Sequence, residues 1–124
     1  MSEFDGEAFV ARFNSVWDDH DLDGIVGMFT DDVIFEASFG SEPCGERAIG
    51  RAAARALAAK VFARVPDLHF EELRHYVTPE IAVVEAVTTG TPVDGTPYEA
   101  HLVDVLTLRD GKIAAKRSYR KGQV

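Results

Sequence analysis

The feature that most constrains this chain is a change of hydrophobic period at Pro66-Asp67. Ahead of that point apolar residues recur mainly at helical spacing, and behind it they follow a strand-like period of two. The spacing predicts a first helix over about Asp5 to Asp18, with Phe9, Val10, Phe13, Val16 and Trp17 on one stripe. A short helix over Leu22 to Phe29 follows, carrying Leu22, Ile25, Val26 and Phe29 at i, i+3, i+4 and i+7. Val33 to Ser38 reads as a strand. Gly45 to Arg64 is alanine-rich and reads as a third helix, with Ile49, Ala53, Leu57, Val61 and Phe62 as its stripe. Four strands then run over Leu68 to Val77, Ile81 to Thr89, Tyr98 to Arg109 and Lys112 to Tyr119, the last pair joined by an Asp110-Gly111 hairpin. Helices followed by antiparallel strands define an α+β layer fold, with a sheet on one side and helices on the other.

At 124 residues the chain is expected to form one domain, 1–124, and its 46% apolar content is enough for a single core. A net charge of −8 argues against nucleic-acid binding, which depends on neutralising phosphates with Lys and Arg. One cysteine, Cys44, excludes an intramolecular disulfide, and no Cys/His cluster has metal-ligand spacing, so no metal is expected. The acidic start MSEFDGEAFVARF does not read as a signal peptide, and no apolar run is long enough to span a membrane. A cytoplasmic location is the expectation.

The run from His20 to Gly50 carries a family resemblance. Its DLDGIV…F..DD and GSEP..G..AI segments closely resemble the bacterial ketosteroid isomerases. Those belong to the nuclear transport factor 2-like superfamily, which also holds the SnoaL-like polyketide cyclases. With weaker similarity at Asp110-Gly111-Lys112-Ile113, the resemblance covers nearly the whole chain. It implies a cone-shaped fold, three N-terminal helices on a strongly curved, mostly antiparallel sheet that encloses a pocket. It also implies a hydrophobic small-molecule ligand, no cofactor, and pairing of two copies through the sheet.

Ketosteroid isomerases move a proton between carbons beside a ketone, using a carboxylate base and two donors to the enolate oxygen. One donor is a tyrosine, and the other is an aspartic acid held neutral by an apolar site. Placed on the shared motifs, the base position, two residues after Phe35, is Ala37. The donor tyrosine, eight residues before Asp21, is replaced by Phe13. A second tyrosine that supports the first is replaced by Ala53, four residues after Ile49. Only the aspartic acid has a counterpart, Asp104. A base contributes roughly 10² to 10⁴ in rate and an oxyanion donor about 10² to 10³. Steroid isomerase activity of the ordinary kind is therefore expected to be weak or absent.

Other polar groups are candidates for the chemistry. The resemblance puts Val83, Glu85, Val87 and Thr89 on the pocket side of their strand, making Glu85 a carboxylate in apolar surroundings. Alternatively it faces outward, or pairs with a Lys or Arg. Both faces around Asp104 are mostly apolar, and the resemblance favours Asp104 inward. His69 aligns with a pocket-lining place, and His101 is a candidate because SnoaL-like cyclases use a His–Asp pair. Relatives carry that aspartate shortly after the final tyrosine, where Arg120, Lys121 and Gly122 stand here. The cluster Lys116, Arg117 and Arg120 reads either as a solvated sheet edge or as the source of a partner for Glu85 or Asp104. Phe13, Trp17, Met28, Phe35 and Phe62 offer an apolar wall against a carbon skeleton, or plain core filling.

The sequence thus predicts a cofactor-independent acid–base enzyme acting on a hydrophobic small molecule as isomerase, cyclase or dehydratase. Asp104 is its acid or donor, and Glu85 or His69 its base. The alternative is a non-catalytic binding or accessory module built on the same cavity.

Overall fold

The computed structural model of the chain describes residues 3–122. Three helices come first, α1 (Gly6–Asp18), α2 (Leu22–Gly27) and α3 (Arg51–Arg64), interleaved with strands β1 (Phe29–Glu36) and β2 (Arg47–Ile49). The remaining chain forms β3 (His69–Val77), β4 (Ile81–Gly90), β5 (Tyr98–Arg109) and β6 (Lys112–Arg120). All six strands make one sheet in the order β2-β1-β6-β5-β4-β3, antiparallel throughout except where β1 runs parallel to β6.

Local chemistry sets these boundaries. Asp5 caps α1 by accepting from the Ala8 N–H at 3.0 Å, and Asp21 caps α2 by accepting from Gly24 at 3.0 Å. The predicted stripe of α1 is buried as a set. Asp110 and Gly111 both adopt positive φ, 53° and 77°, the geometry a two-residue hairpin needs to follow the twist of β5 and β6.

Three features differ from the sequence reading. The second helix stops at Gly27, because Phe29 already belongs to β1 and pairs with Ile113. A three-residue strand, β2, stands where the third helix was expected to start, and Ile49 on it is exposed. Its pairing with β1 turns at Gly50, whose φ of 89° suits glycine and whose N–H donates to Val33 O at 2.8 Å. The inward stripe of α3 is also offset from the predicted one: Ala54, Leu57, Ala58 and Phe62 are buried, and Ala53 is exposed. Period alone places a stripe poorly in a helix where alanine fills nearly every face.

α1 is tied to β3 at the sheet edge by His75. Its Nε2 is 3.0 Å from Glu7 and its Nδ1 2.9 Å from Glu72, which also accepts from Asn14 at 2.8 Å. The hydrogen bonds to Glu7 and then Glu72 raise the His75 pKa above its ordinary 6.5. Burial pushes the Glu72 carboxyl upward, but His75 and Asn14 together outweigh it and hold it below 4.5. A raised histidine stabilises the fold fully below its unfolded pKa, and that contribution is lost as pH rises through the folded value. The depressed Glu72 contributes above its unfolded pKa and loses that contribution only as pH falls through its folded one. His75→Gln is therefore expected to lower Tm by about 1–4 °C near pH 5.5 and by less near pH 9. Thermal melts across that range check it, and an equal deficit at both ends refutes the linkage.

Candidate active site

Between α1, α3 and the concave face of the sheet lies a cavity of about 300 Å³. α1 contributes Phe13 and Trp17, β1 contributes Phe35, and Ala37 follows at its end. Val84, Ala86 and Thr88 of β4 form part of the wall, with Leu102 of β5 beside them. The Trp17 and Phe35 rings meet edge to face with centroids 5.6 Å apart. Phe62 packs on Trp17 at 5.7 Å but does not reach the cavity, and Met28 is buried in the core away from it. Both support the wall rather than form it.

Within this apolar chamber stands a polar group of three. Asp104 on β5 lies directly across from Ser118 on β6, and Lys116 is two residues earlier on β6, on the same face. Ser118 Oγ donates to Asp104 Oδ1 at 2.5 Å. Lys116 Nζ donates to Ser118 Oγ at 2.7 Å and to Asp104 Oδ1 at 3.2 Å. The same ammonium lies 4.3 Å from the Trp17 ring centre and 4.7 Å from that of Phe35. Asp104 and Lys116 are only 6% and 5% exposed, so each requires the other; breaking such a pair typically costs about 3–5 kcal/mol.

Asp104, Lys116 and Ser118 all line the cavity, and their hydrogen-bonding capacity is not used up within the group. Two of the three N–H donors of Lys116 are engaged, which leaves the third. Both bonds to Asp104 end on Oδ1, and among the described residues Oδ2 accepts none. Nor is Oδ2 among the buried atoms left without a partner, so it keeps access to the open space of the cavity that Asp104 lines. Asp104 Oδ2 and the ring-stacked Lys116 ammonium therefore stand together on the wall of one cavity.

The structure brings together Asp104, Lys116, Phe13, Trp17, Phe35 and Ala37, and separates the other predicted site residues from them. Glu85 is on the outer face of β4, where it pairs with Arg74 on β3. The expected register was one residue out: Val84, Ala86 and Thr88 face inward, and Val83, Glu85 and Val87 face outward. Alternating apolar residues on both faces of β4 gave the period no purchase. His69 is exposed at the start of β3 and bonds Asp18 at 2.7 Å, and His101 is exposed on the outer face of β5. Ala53 faces solvent on α3. The basic cluster divides: Lys116 turns inward, Arg117 reaches Glu36 at 3.4 Å, and Arg120 lies over Tyr98.

Sequence reasoning missed Ser118 and Thr88. Ser118 was accessible to it, two residues beyond Lys116 and therefore on the same side of the strand. Thr88 was lost with the register of β4.

The fold agrees with that of similar proteins. Residues 10–116 match the SnoaL-like domain, and the chain belongs to that family. No curated protein matches the sequence. A hypothetical protein from Catenulispora acidiphila with a ketosteroid isomerase-like fold, solved in complex with trimethylamine, superposes with a TM-score of 0.78 at 18% identity. That match covers 93% of this chain and 86% of the other. A putative polyketide cyclase from Xanthomonas campestris gives 0.77 at 17% identity over 91% of this chain and 87% of that one. TerC, co-crystallised with polyporic acid, gives 0.76 at 19% identity over 93% and 90%. At such identities the likeness is one of fold.

Thr88 Oγ1 is a buried side-chain oxygen without a partner among the described residues, and Thr88 is 1% exposed on the cavity wall. Leaving a hydroxyl so placed costs about 1–3 kcal/mol unless something else meets it. Thr88→Val removes that cost at nearly constant shape. Urea melts are expected to give unchanged or higher stability, and any cavity ligand that uses the hydroxyl is expected to bind about tenfold more weakly. A variant clearly less stable than the parent refutes the assignment of Thr88 as unpartnered.

Proposed function

We propose that this SnoaL-like protein is a cofactor-independent acid–base enzyme acting on a hydrophobic carbonyl compound, with Asp104 as base and Lys116 as oxyanion donor. The observation that carries this reading is Asp104 Oδ2, which accepts no bond among the described residues, beside the Lys116 ammonium on the wall of a largely apolar cavity. A substrate C–H next to a carbonyl gives its proton to Oδ2, and the electron pair of that bond moves into the enolate. Charge gathering on oxygen is met by the ammonium, in a site where few waters compete. Where the enolate is conjugated with a C=C bond, returning the proton from Oδ2 to its far carbon completes an isomerisation. Where the enolate carbon instead attacks a second carbonyl of the same molecule, the C=O π pair becomes an alkoxide that takes the proton from Oδ2, completing a cyclisation. Ser118 is a positioning residue, fixing Oδ1 so that Oδ2 is the oxygen presented. A putative polyketide cyclase and a protein holding polyporic acid among the fold's neighbours support a cyclic, oxygen-rich substrate.

The role of Asp104 differs from the one the ketosteroid isomerase resemblance implies. Beside Lys116 it serves as acceptor rather than neutral donor, and the base no longer needs Glu85 or His69. Proton exchange into β-tetralone in deuterium oxide, followed by NMR, tests this without knowledge of the product. The wild type is expected to speed exchange above buffer, Asp104→Asn to lower that rate by about 10²–10⁴, and Lys116→Met by about 10²–10³. Circular dichroism of each variant separates lost chemistry from lost fold. A wild type that binds cyclic ketones and exchanges none of them sinks the enzyme reading.

That result would favour a second reading, a non-catalytic binding module. Phe13 and Ala37 support it, since both line the cavity and neither can transfer a proton. In either case two copies are proposed to pair through the outer face of the sheet. Half-buried Val83, Val87, Val103 and Val105 stand there with exposed Tyr119. Light scattering is expected to give a dimer at micromolar concentration and a monomer for Val103→Asp; a monomeric wild type refutes the pairing.

A further inference from the structure

The rim of the cavity carries two more cations, Arg64 and Arg120, so three cationic side chains line it against one anionic, Asp104. Both arginines are exposed, and among the described residues neither has a carboxylate within ion-pair distance. Each is nevertheless held on an aromatic face. The Arg64 guanidinium carbon is 5.0 Å from the Phe39 ring centre, and that of Arg120 is 4.5 Å from Tyr98. Stacking leaves the in-plane N–H edge of a guanidinium free for a planar oxyanion, the geometry for which arginine is suited.

The two arginines stand on one side of the mouth. Val65, next to Arg64, packs on Gly90, where an added Cβ would lie 2.4 Å from Val65 Cγ1. Gly90 pairs with Tyr98 across β4 and β5, and Tyr98 carries Arg120. Position in the last turn of α3 already suits a cation, since helix carbonyls end there. The helix dipole does not, however, account for a second arginine arriving from β6. Deeper in, the Thr88 hydroxyl is buried and has no protein partner among the described residues. The cavity thus carries a buried pair, Asp104 and Lys116, with half-buried Ser118 beside it, and an exposed arginine rim, with Arg120 two residues beyond Ser118 on β6.

We propose that Arg64 and Arg120 are a specificity site for a carboxylate, so that the ligand is an apolar ring compound bearing an acid group. The acid is held at the rim while the ring enters the cavity. This rests on the cavity being the ligand site, not on its being catalytic. In a chain of net charge −8 an anion gains nothing from the distant field, so recognition depends on these local cations.

Calorimetric titration with β-naphthoate and with its methyl ester tests the assignment. The wild type is expected to bind the acid at least about tenfold more tightly than the ester, and Arg64→Gln/Arg120→Gln to abolish that preference while still binding the ester. Lys116→Met is expected to keep the preference. Equal affinity for acid and ester in the wild type, or no binding of the acid, overturns the proposal. So does a preference that survives loss of both arginines and disappears with Lys116, which would place the anion at the ion pair. Failure of the proton-exchange assay leaves this result standing, so the two readings fail separately.

Discussion

An ammonium enclosed by an indole and a phenyl ring is stable only if a carboxylate accompanies it, and the inner half of this protein is organised around that requirement. Lys116 is supplied by β6 and Asp104 by β5, and the antiparallel register sets Asp104 opposite Ser118. Trp17 and Phe35, from α1 and β1, then close over the ammonium. One hairpin, β5–β6, and two elements from the other end of the chain, α1 and β1, thus converge on one charge pair. The parallel contact of β1 with β6 is part of the same arrangement, because it sets Phe35 beside Lys116 in the sheet. A purely apolar filling of this space would give comparable or greater stability. Stability alone therefore does not explain an ion pair on the wall of this cavity, which the proposed acid–base role would.

The resemblance to ketosteroid isomerases located the vessel and misdirected the search for its contents. Phe13 and Ala37 do line the cavity, so two of the positions where that chemistry resides are present and inert. In the proposed reading, the aspartic acid keeps its place on β5 and Lys116 on β6 stands in for the groups missing from α1 and β1. Within such a fold, walls on opposite sides are equivalent to a ligand lying between them. A base lost from one strand is replaceable by a carboxylate on another, provided a cation and an apolar lining come with it.

How much the sequence disclosed follows the strength of each local signal. The α1 stripe and the Asp110-Gly111 turn were legible because apolar spacing and positive-φ preference admit few alternatives there. β2 was not, since three residues without a period and with an exposed Ile49 resemble the start of the helix that follows. β4 was legible as a strand and illegible as a face. Its two sides, Ala82-Val84-Ala86 and Ile81-Val83-Val87, are nearly equal in hydrophobicity, and only the curvature of the sheet distinguishes them. That single ambiguity moved Glu85 into the site and Thr88 out of it. Asp104 escaped the same ambiguity because the resemblance, not the period, fixed its side. The pairing of Asp104 with Lys116 was within reach as one of two options. Choosing between them required knowing that Glu85 already has Arg74.

Charge is distributed in this molecule against its total. The chain is acidic, yet the cations that line the cavity outnumber the anions. At physiological ionic strength, surface carboxylates farther away than about 8 Å are largely screened from a ligand, whereas groups at the rim act on it at close range through a drier medium. The acidic surface therefore does not oppose an acidic ligand once that ligand has reached the mouth. The exposed rim and the buried pair then have different tasks. The rim contacts are exposed and share their anion with water, so they select and orient. The inner pair is dry and can respond to charge that develops during reaction. An acid group gripped at the rim would keep its own charge away from Lys116, leaving that ammonium available for the oxygen on which new charge appears.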